Sequence, residues 1–107
     1  MANMARHDEK RGKGRKPCFF MAVDYATNNH VYTEAVQDIS SSGLFIETDS
    51  PLPVGTEINM VFTDFDTLRL IKVAGNVIRS STEGIAVQFR FADPEEQLRM
   101  DRFVSTL

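Results

Sequence analysis

Two short groups in this 107-residue chain combine residue types and spacings that could do chemistry. The first is Arg11-Gly12-Lys13-Gly14-Arg15, two arginines four residues apart. A guanidinium is a planar fork of donors that grips a phosphate bidentately, stacks on a base, or donates to the O6 and N7 edge of guanine. Four is an even separation, so in an extended chain both side chains lean to one side, about 13 Å apart at their Cα atoms. Gly12 and Gly14 let the backbone fold around a compact ligand. Basic arms that touch nucleic acid without sequence preference show the same spacing by chance. The second group is Asp38-Ile39-Ser40-Ser41-Ser42-Gly43, at the end of a strand-like segment. An ionised aspartate accepts from the N1 and N2 donors of guanine, and a serine hydroxyl bonds a phosphate or ribose oxygen. Two residues apart on a strand, Asp38 and Ser40 project from the same face. Gly43 permits positive φ or close approach of a ligand to the backbone. Read alone, this group is more simply an Asx or Ser turn between two strands.

No other group competes. His7 and His30 are isolated, and with Cys18 they match no zinc spacing. Cys18, between Pro17 and two phenylalanines, reads as a small buried hydrophobe. No motif marks a serine as activated by a base. Asp64 and Asp66 resemble paired acids, but Thr-Asp-Phe-Asp-Thr fits a hairpin tip better. The phenylalanines Phe19, Phe20, Phe62, Phe89 and Phe91 read as core. The expectation is a binding protein rather than an enzyme, with no metal and no cofactor.

The charge is divided unevenly. Residues 1–16 carry six basic side chains against two acidic ones, a net +4, while residues 17–107 carry six against thirteen, a net −7. An anionic partner therefore meets the N-terminal arm first. One cysteine, no bilayer-length apolar run and a charged N-terminus without a signal-like stretch point to a cytoplasmic protein with no membrane insertion. The length fits one domain.

What must position these groups is mostly strand. Segments 19–26 and 30–38 form a hairpin about Asn28-Asn29, a pair that tolerates left-handed geometry. A strand follows at 44–48, then the turn Pro51-Leu52-Pro53-Val54-Gly55. Ile58, Met60 and Phe62 alternate with more polar neighbours, so one face of 57–62 looks inward. Segment 68–79 contains Gly75, where a bulge or bend is expected. In the last strand Ile85, Val87, Phe89 and Phe91 share a face. The period then changes. Asp93 as N-cap, Pro94 in the first turn and Glu96 as capping-box acid start a helix over 94–106. Its stripe is Met100, Phe103, Val104 and Leu107, and it covers an edge or mouth of the sheet. The fold expected is mainly β: a small six-stranded antiparallel β-barrel (18–107) with one C-terminal helix, preceded by a flexible basic arm (1–17).

Taken together, an R-x-x-x-R group twenty-odd residues before D-x-S-x-x-G, with a strand pair between, resembles the PilZ domain family. The resemblance extends to Gly43-Leu44-Phe45-Ile46-Glu47-Thr48, to the Pro51–Gly55 turn and to Gly84-Ile85-Ala86-Val87-Gln88-Phe89, and covers roughly Lys10 to Val104. It implies a bacterial receptor for the second messenger cyclic di-GMP. By position, Arg11 and Arg15 would hold guanine and phosphate, Asp38 a guanine edge, Ser40 a phosphate, and Gly43 the close backbone approach. Lys10, Lys16 and Ser42 are auxiliary candidates. Many family members carry a further arginine where this chain has Lys10. The resemblance also implies an unidentified protein effector that reads the liganded surface, since so short a chain has no output domain. Two other readings stand beside it: a PilZ-like interaction module that has lost its ligand, and a single-stranded nucleic-acid-binding barrel, which the acidic body disfavours.

Overall fold

The computed structural model describes residues 15–18, 21–65 and 67–107. Among the described residues seven strands and one helix follow in chain order: β1 Lys16–Pro17, β2 Ala22–Ala26, β3 Val31–Ile39, β4 Gly43–Glu47, β5 Glu57–Asp64, β6 Arg69–Ser81, β7 Gly84–Arg90 and α1 Pro94–Ser105. Every pairing is antiparallel, in the order β1-β3-β2-β5-β6-β7-β4. Strand β4 also pairs with β3, which closes β2 to β7 into the expected six-stranded barrel. Closure leaves none of those six with two free edges.

Period-two alternation builds the interior. Ile58, Met60 and Phe62 of β5 are buried, as are Ile71, Val73 and Val77 of β6 and Ile85, Val87 and Phe89 of β7. Phe91 lies past the end of β7 and is only partly buried against this core. Phe19 and Phe20 lie outside the described residues. Helix α1 closes the barrel with Met100, Phe103 and Val104 buried and the Phe103 ring 5.5 Å from that of Phe62. Asp93 Oδ1 accepts from Glu96 N–H at 2.9 Å, the N-cap bond its position predicts, while Glu96 Oε1 reaches one residue past the N-cap and accepts from Ala92 N–H at 3.2 Å rather than closing a capping box on Asp93. The helix stops at Ser105, and Leu107, expected in the apolar stripe, is over a third exposed because the chain has left the helical path.

Three local expectations change. Gly75 is not a bulge: it sits in regular register opposite Ile58 and Phe89. A Cβ there would lie 2.6 Å from Val87 Cγ1 and 2.8 Å from Met60 Cε, so the missing side chain makes room in the barrel interior. The register shift falls three residues later, between Val77 and Arg79, and leaves Ile78 as the extra residue. Asn28-Asn29 turns without left-handed backbone; among described non-glycine residues only Leu68 has positive φ, at 58°. Finally, the last two residues of the expected arm, Lys16 and Pro17, form β1 and pair with Ile39 and Asp38. The arm's residues 1–14 lie outside the described residues.

Gly43 opens β4, and a Cβ added there would stand 2.3 Å from the Val87 carbonyl oxygen. Real side chains do not tolerate that approach to a backbone atom, so Gly43→Ala must push β4 and β7 apart. A loss of about 2–4 kcal/mol is expected, read as a lower urea midpoint; an unchanged midpoint would contradict the packing. Cys18 is 1 % exposed, and its thiol pKa is raised, first by burial and then by the nearby Asp38 charge. The folded state thus holds the neutral thiol more firmly than the unfolded chain does. That contribution is whole below the ordinary thiol value of 9.0 and is lost as pH rises through the folded value. Urea midpoints measured from pH 7 to 10 should fall more steeply for the parent than for Cys18→Ala; parallel slopes would contradict this.

Candidate functional site

Where β1 lies along β3, Pro17 pairs with Asp38, and Cys18 N–H donates to the Gln37 carbonyl at 2.9 Å. This pairing delivers Arg15, the residue just before β1, to the Asp38 side chain. Arg15 Nε donates to Asp38 Oδ1 at 3.0 Å, and Nη2 donates to the same oxygen. Both donors share one oxygen, so Asp38 Oδ2 and Arg15 Nη1 have no partner among the described residues. The two side chains are 40 and 28 % exposed, which leaves the pair screened by water and worth only about 0–1 kcal/mol. Such a pair is easily rearranged by an incoming charge.

A bulge explains how Asp38 comes to face outward. In β3, Val36 pairs with Ile46 of β4, and the next pair is Asp38 with Phe45, leaving Gln37 as the extra residue. Strict alternation from buried Val36 would turn Asp38 inward and Ile39 outward. The extra residue reverses that: Ile39 is fully buried and Asp38 looks out. The Ile78 bulge in β6 does the same for Arg79, whose parity with Ile71, Val73 and Val77 would otherwise point it into the core. Arg79 is exposed and makes no hydrogen bond or ion pair among the described residues.

The two bulges flank one pocket of about 300 Å3 on the outer face of β3, β4, β7 and β6. Arg15, Asp38, Ser42, Gly43, Arg79 and Gln88 supply its polar atoms and backbone, while Phe45 and Ile78 give apolar surface. Two guanidiniums, a carboxylate with one oxygen unengaged among the described residues, a hydroxyl and an amide suit a ligand with both phosphate charge and planar donor edges.

The expected site residues divide. Arg15, Asp38, Gly43 and the auxiliary Ser42 come together in this pocket. Arg11 and Lys10 lie outside the described residues. Lys16 turns away, its Nζ donating to the Leu107 main-chain oxygen at 3.2 Å. Ser40 does not share the outward face with Asp38: the strand ends at Ile39, and Ser40 is 3 % exposed inside the turn. Its Oγ donates to the Gly43 carbonyl at 3.3 Å and accepts from Ser42 N–H at 3.2 Å, which holds the turn closed. Gly43 does not use positive φ; what approaches it closely is the Val87 carbonyl. The reading from sequence missed Arg79 and Gln88. The signal for Arg79 was present, since a charged residue at an inward position of an alternating strand requires either a buried partner or a bulge.

Among the described residues there is no cluster of three metal-binding side chains, and no helix is long and apolar enough to cross a membrane. Comparison with curated protein sequences finds no match. Among solved structures, the chain is similar to the PilZ domain of CeSA from a cellulose-synthesizing bacterium, with TM-score 0.74 and 16 % identity over 86 % of this chain and 95 % of that one. It is similar to the Bacillus subtilis inhibitor of motility MotI/DgrA, with TM-score 0.70 and 12 % identity, covering 86 % of this chain but 48 % of that protein. An uncharacterised Legionella protein matches at TM-score 0.57 and 14 % identity, over 86 % of this chain and 90 % of that one. At these identities the likeness speaks for the fold. The sequence profile of the PilZ domain matches residues 9–106, and with nearly the whole chain covered, this protein belongs to the PilZ domain family.

Proposed function

We propose that this chain is a cyclic di-GMP receptor that passes the signal to a protein partner and catalyses no reaction. The observation that carries the reading is the meeting of the two sequence groups: β1 brings Arg15 from the first onto Asp38 of the second, at a pocket that also holds Arg79. Cyclic di-GMP presents two phosphates and two guanines, so it needs cations and a carboxylate within one ligand's span. In this proposal Arg15 and Arg79 take phosphate or guanine oxygens, and Asp38 Oδ2 accepts from a guanine N1–H and N2–H edge. The Phe45 ring and Ile78 shield an apolar face of the ligand, and Gly43 keeps the pocket floor low. Ser40 holds the turn that presents Ser42. Arg11 then closes on the ligand from the N-terminal segment, so that arm, ligand and barrel form one surface for the partner. The exposed Arg15–Asp38 pair supports this, because it costs little to exchange a screened contact for bonds to a phosphate and a base.

A charge-assisted hydrogen bond contributes about 1.5–3 kcal/mol. Calorimetric titration with cyclic di-GMP should therefore show saturable heat in the parent, with affinity falling about ten- to a hundred-fold in Arg15→Ala. Arg79→Ala should fall by a comparable factor while its melting temperature stays unchanged, because Arg79 has no structural partner among the described residues. Absence of heat in the parent would remove the receptor reading. Full affinity in both variants would move the ligand to another surface.

A further inference from the structure

A second surface is built at the other strand hairpin, from residues that share nothing with the pocket above. The β5–β6 hairpin and helix α1 bound a groove of about 690 Å3, into which Arg69 of β6 and Arg99 and Arg102 of α1 all project. Arg99 and Arg102 are three apart on the helix and so lie side by side. Residues 17–107 have only six basic side chains, and this groove gathers three of them in an otherwise acidic body. None of the three guanidiniums has a hydrogen-bond or ion-pair partner among the described residues. Asp64, opposite Arg69 in the β5–β6 ladder, is the one carboxylate among the groove's described lining residues, so three positive charges outnumber one negative charge and the groove gains when an anion reaches it. Next to the groove, and sharing Asp64, Phe103 and Thr106 with it, is a smaller and mainly apolar hollow of about 210 Å3 lined by Met21 and Phe65. Along the rim Phe65, Leu68 and Leu70 are 66, 80 and 60 % exposed. Three large apolar side chains left in water on one hairpin are what an interaction surface presents.

We propose that this groove docks an acidic peptide segment of a protein partner, with one apolar side chain in the hollow and two or more carboxylates on Arg69, Arg99 and Arg102. The charge fixes the sign of the partner, and the apolar hollow fixes an anchor that a bare polyanion lacks. Single-stranded nucleic acid needs a continuous basic track, whereas this cluster already contains Asp64 and sits in an otherwise acidic body. The proposal extends the adaptor half of the reading above and rests on none of its ligand contacts.

The test is a selection of random twelve-residue peptides displayed on phage against the whole chain, followed by anisotropy titration of the enriched peptides. Enriched sequences should share a Leu, Ile, Met or Phe flanked by at least two Asp or Glu. Their affinity should fall about tenfold or more for the double variant Arg99→Glu/Arg102→Glu and be retained by Arg15→Ala. Arg69→Gln, at the first residue of β6, should weaken them by a smaller factor, and circular dichroism checks that each variant is folded. Enrichment of peptides without acids, equal binding by the charge-reversed variant, or no enrichment would overturn the proposal. So would equal competition by oligo-dT or phosphatidylglycerol vesicles, which would make the surface a general polyanion or membrane contact. Loss of peptide binding with cyclic di-GMP binding intact defeats this inference alone; the reverse result defeats only the ligand reading.

Discussion

The alternation of side chains along a strand is the constraint on which the rest depends. In a closed barrel every second residue must fill the interior, and a slip of one residue exchanges the two faces. Strand β3 has to supply both Val36 and Ile39 to the core, and β6 has to supply Ile71, Val73 and Val77 while keeping Arg79, of the same parity, out of it. Both demands break strict alternation and are met by one extra residue in each strand, Gln37 in β3 and Ile78 in β6. The bulges therefore satisfy the core and, by the same step, place Asp38 and Arg79 on the outside, on strands with β4 and β7 between them. The pocket is a by-product of keeping the core apolar.

Rigid and adjustable parts are cleanly separated. The floor is fixed by backbone: Gly43 against the Val87 carbonyl, the Ser40 turn, and the ladder of β4 with β7. The wall is adjustable: Arg15 sits at the start of a two-residue strand and pairs with a water-screened carboxylate. A ligand entering such a site would rearrange the Arg15–Asp38 contact, while the backbone floor stays as it is. A preformed floor lowers the cost of binding, and the movable wall lets binding be felt outside the pocket.

Much of this was legible in the residues. Alternation gave β5 and β7, the caps gave α1, and the two motif groups marked the elements that meet at Arg15 and Asp38. What was not legible follows from chain-level geometry. Asp38 and Ser40 share a face only if the strand continues past Ile39, and whether it does depends on the turn bonds of Ser40, which no period reveals. Gly75 looked like the place for a bend because glycine weakens strands, yet here glycine answers crowding by Met60 and Val87 from neighbouring strands. Arg79 is distant in sequence from both motif groups, and only strand order brings it to them. The half-exposed Leu107 shows the same limit: helical periodicity says nothing about where the helix stops.

The central claim is that cyclic di-GMP enters the pocket between the two bulges. Backbone amide chemical-shift mapping during titration with cyclic di-GMP addresses it directly. The account predicts saturating shifts confined to Arg15, Asp38, Ser42, Gly43, Arg79 and Gln88 and their neighbours, with the interior of β5 unmoved. Shifts that cluster elsewhere, or none at all at saturating ligand, would contradict it.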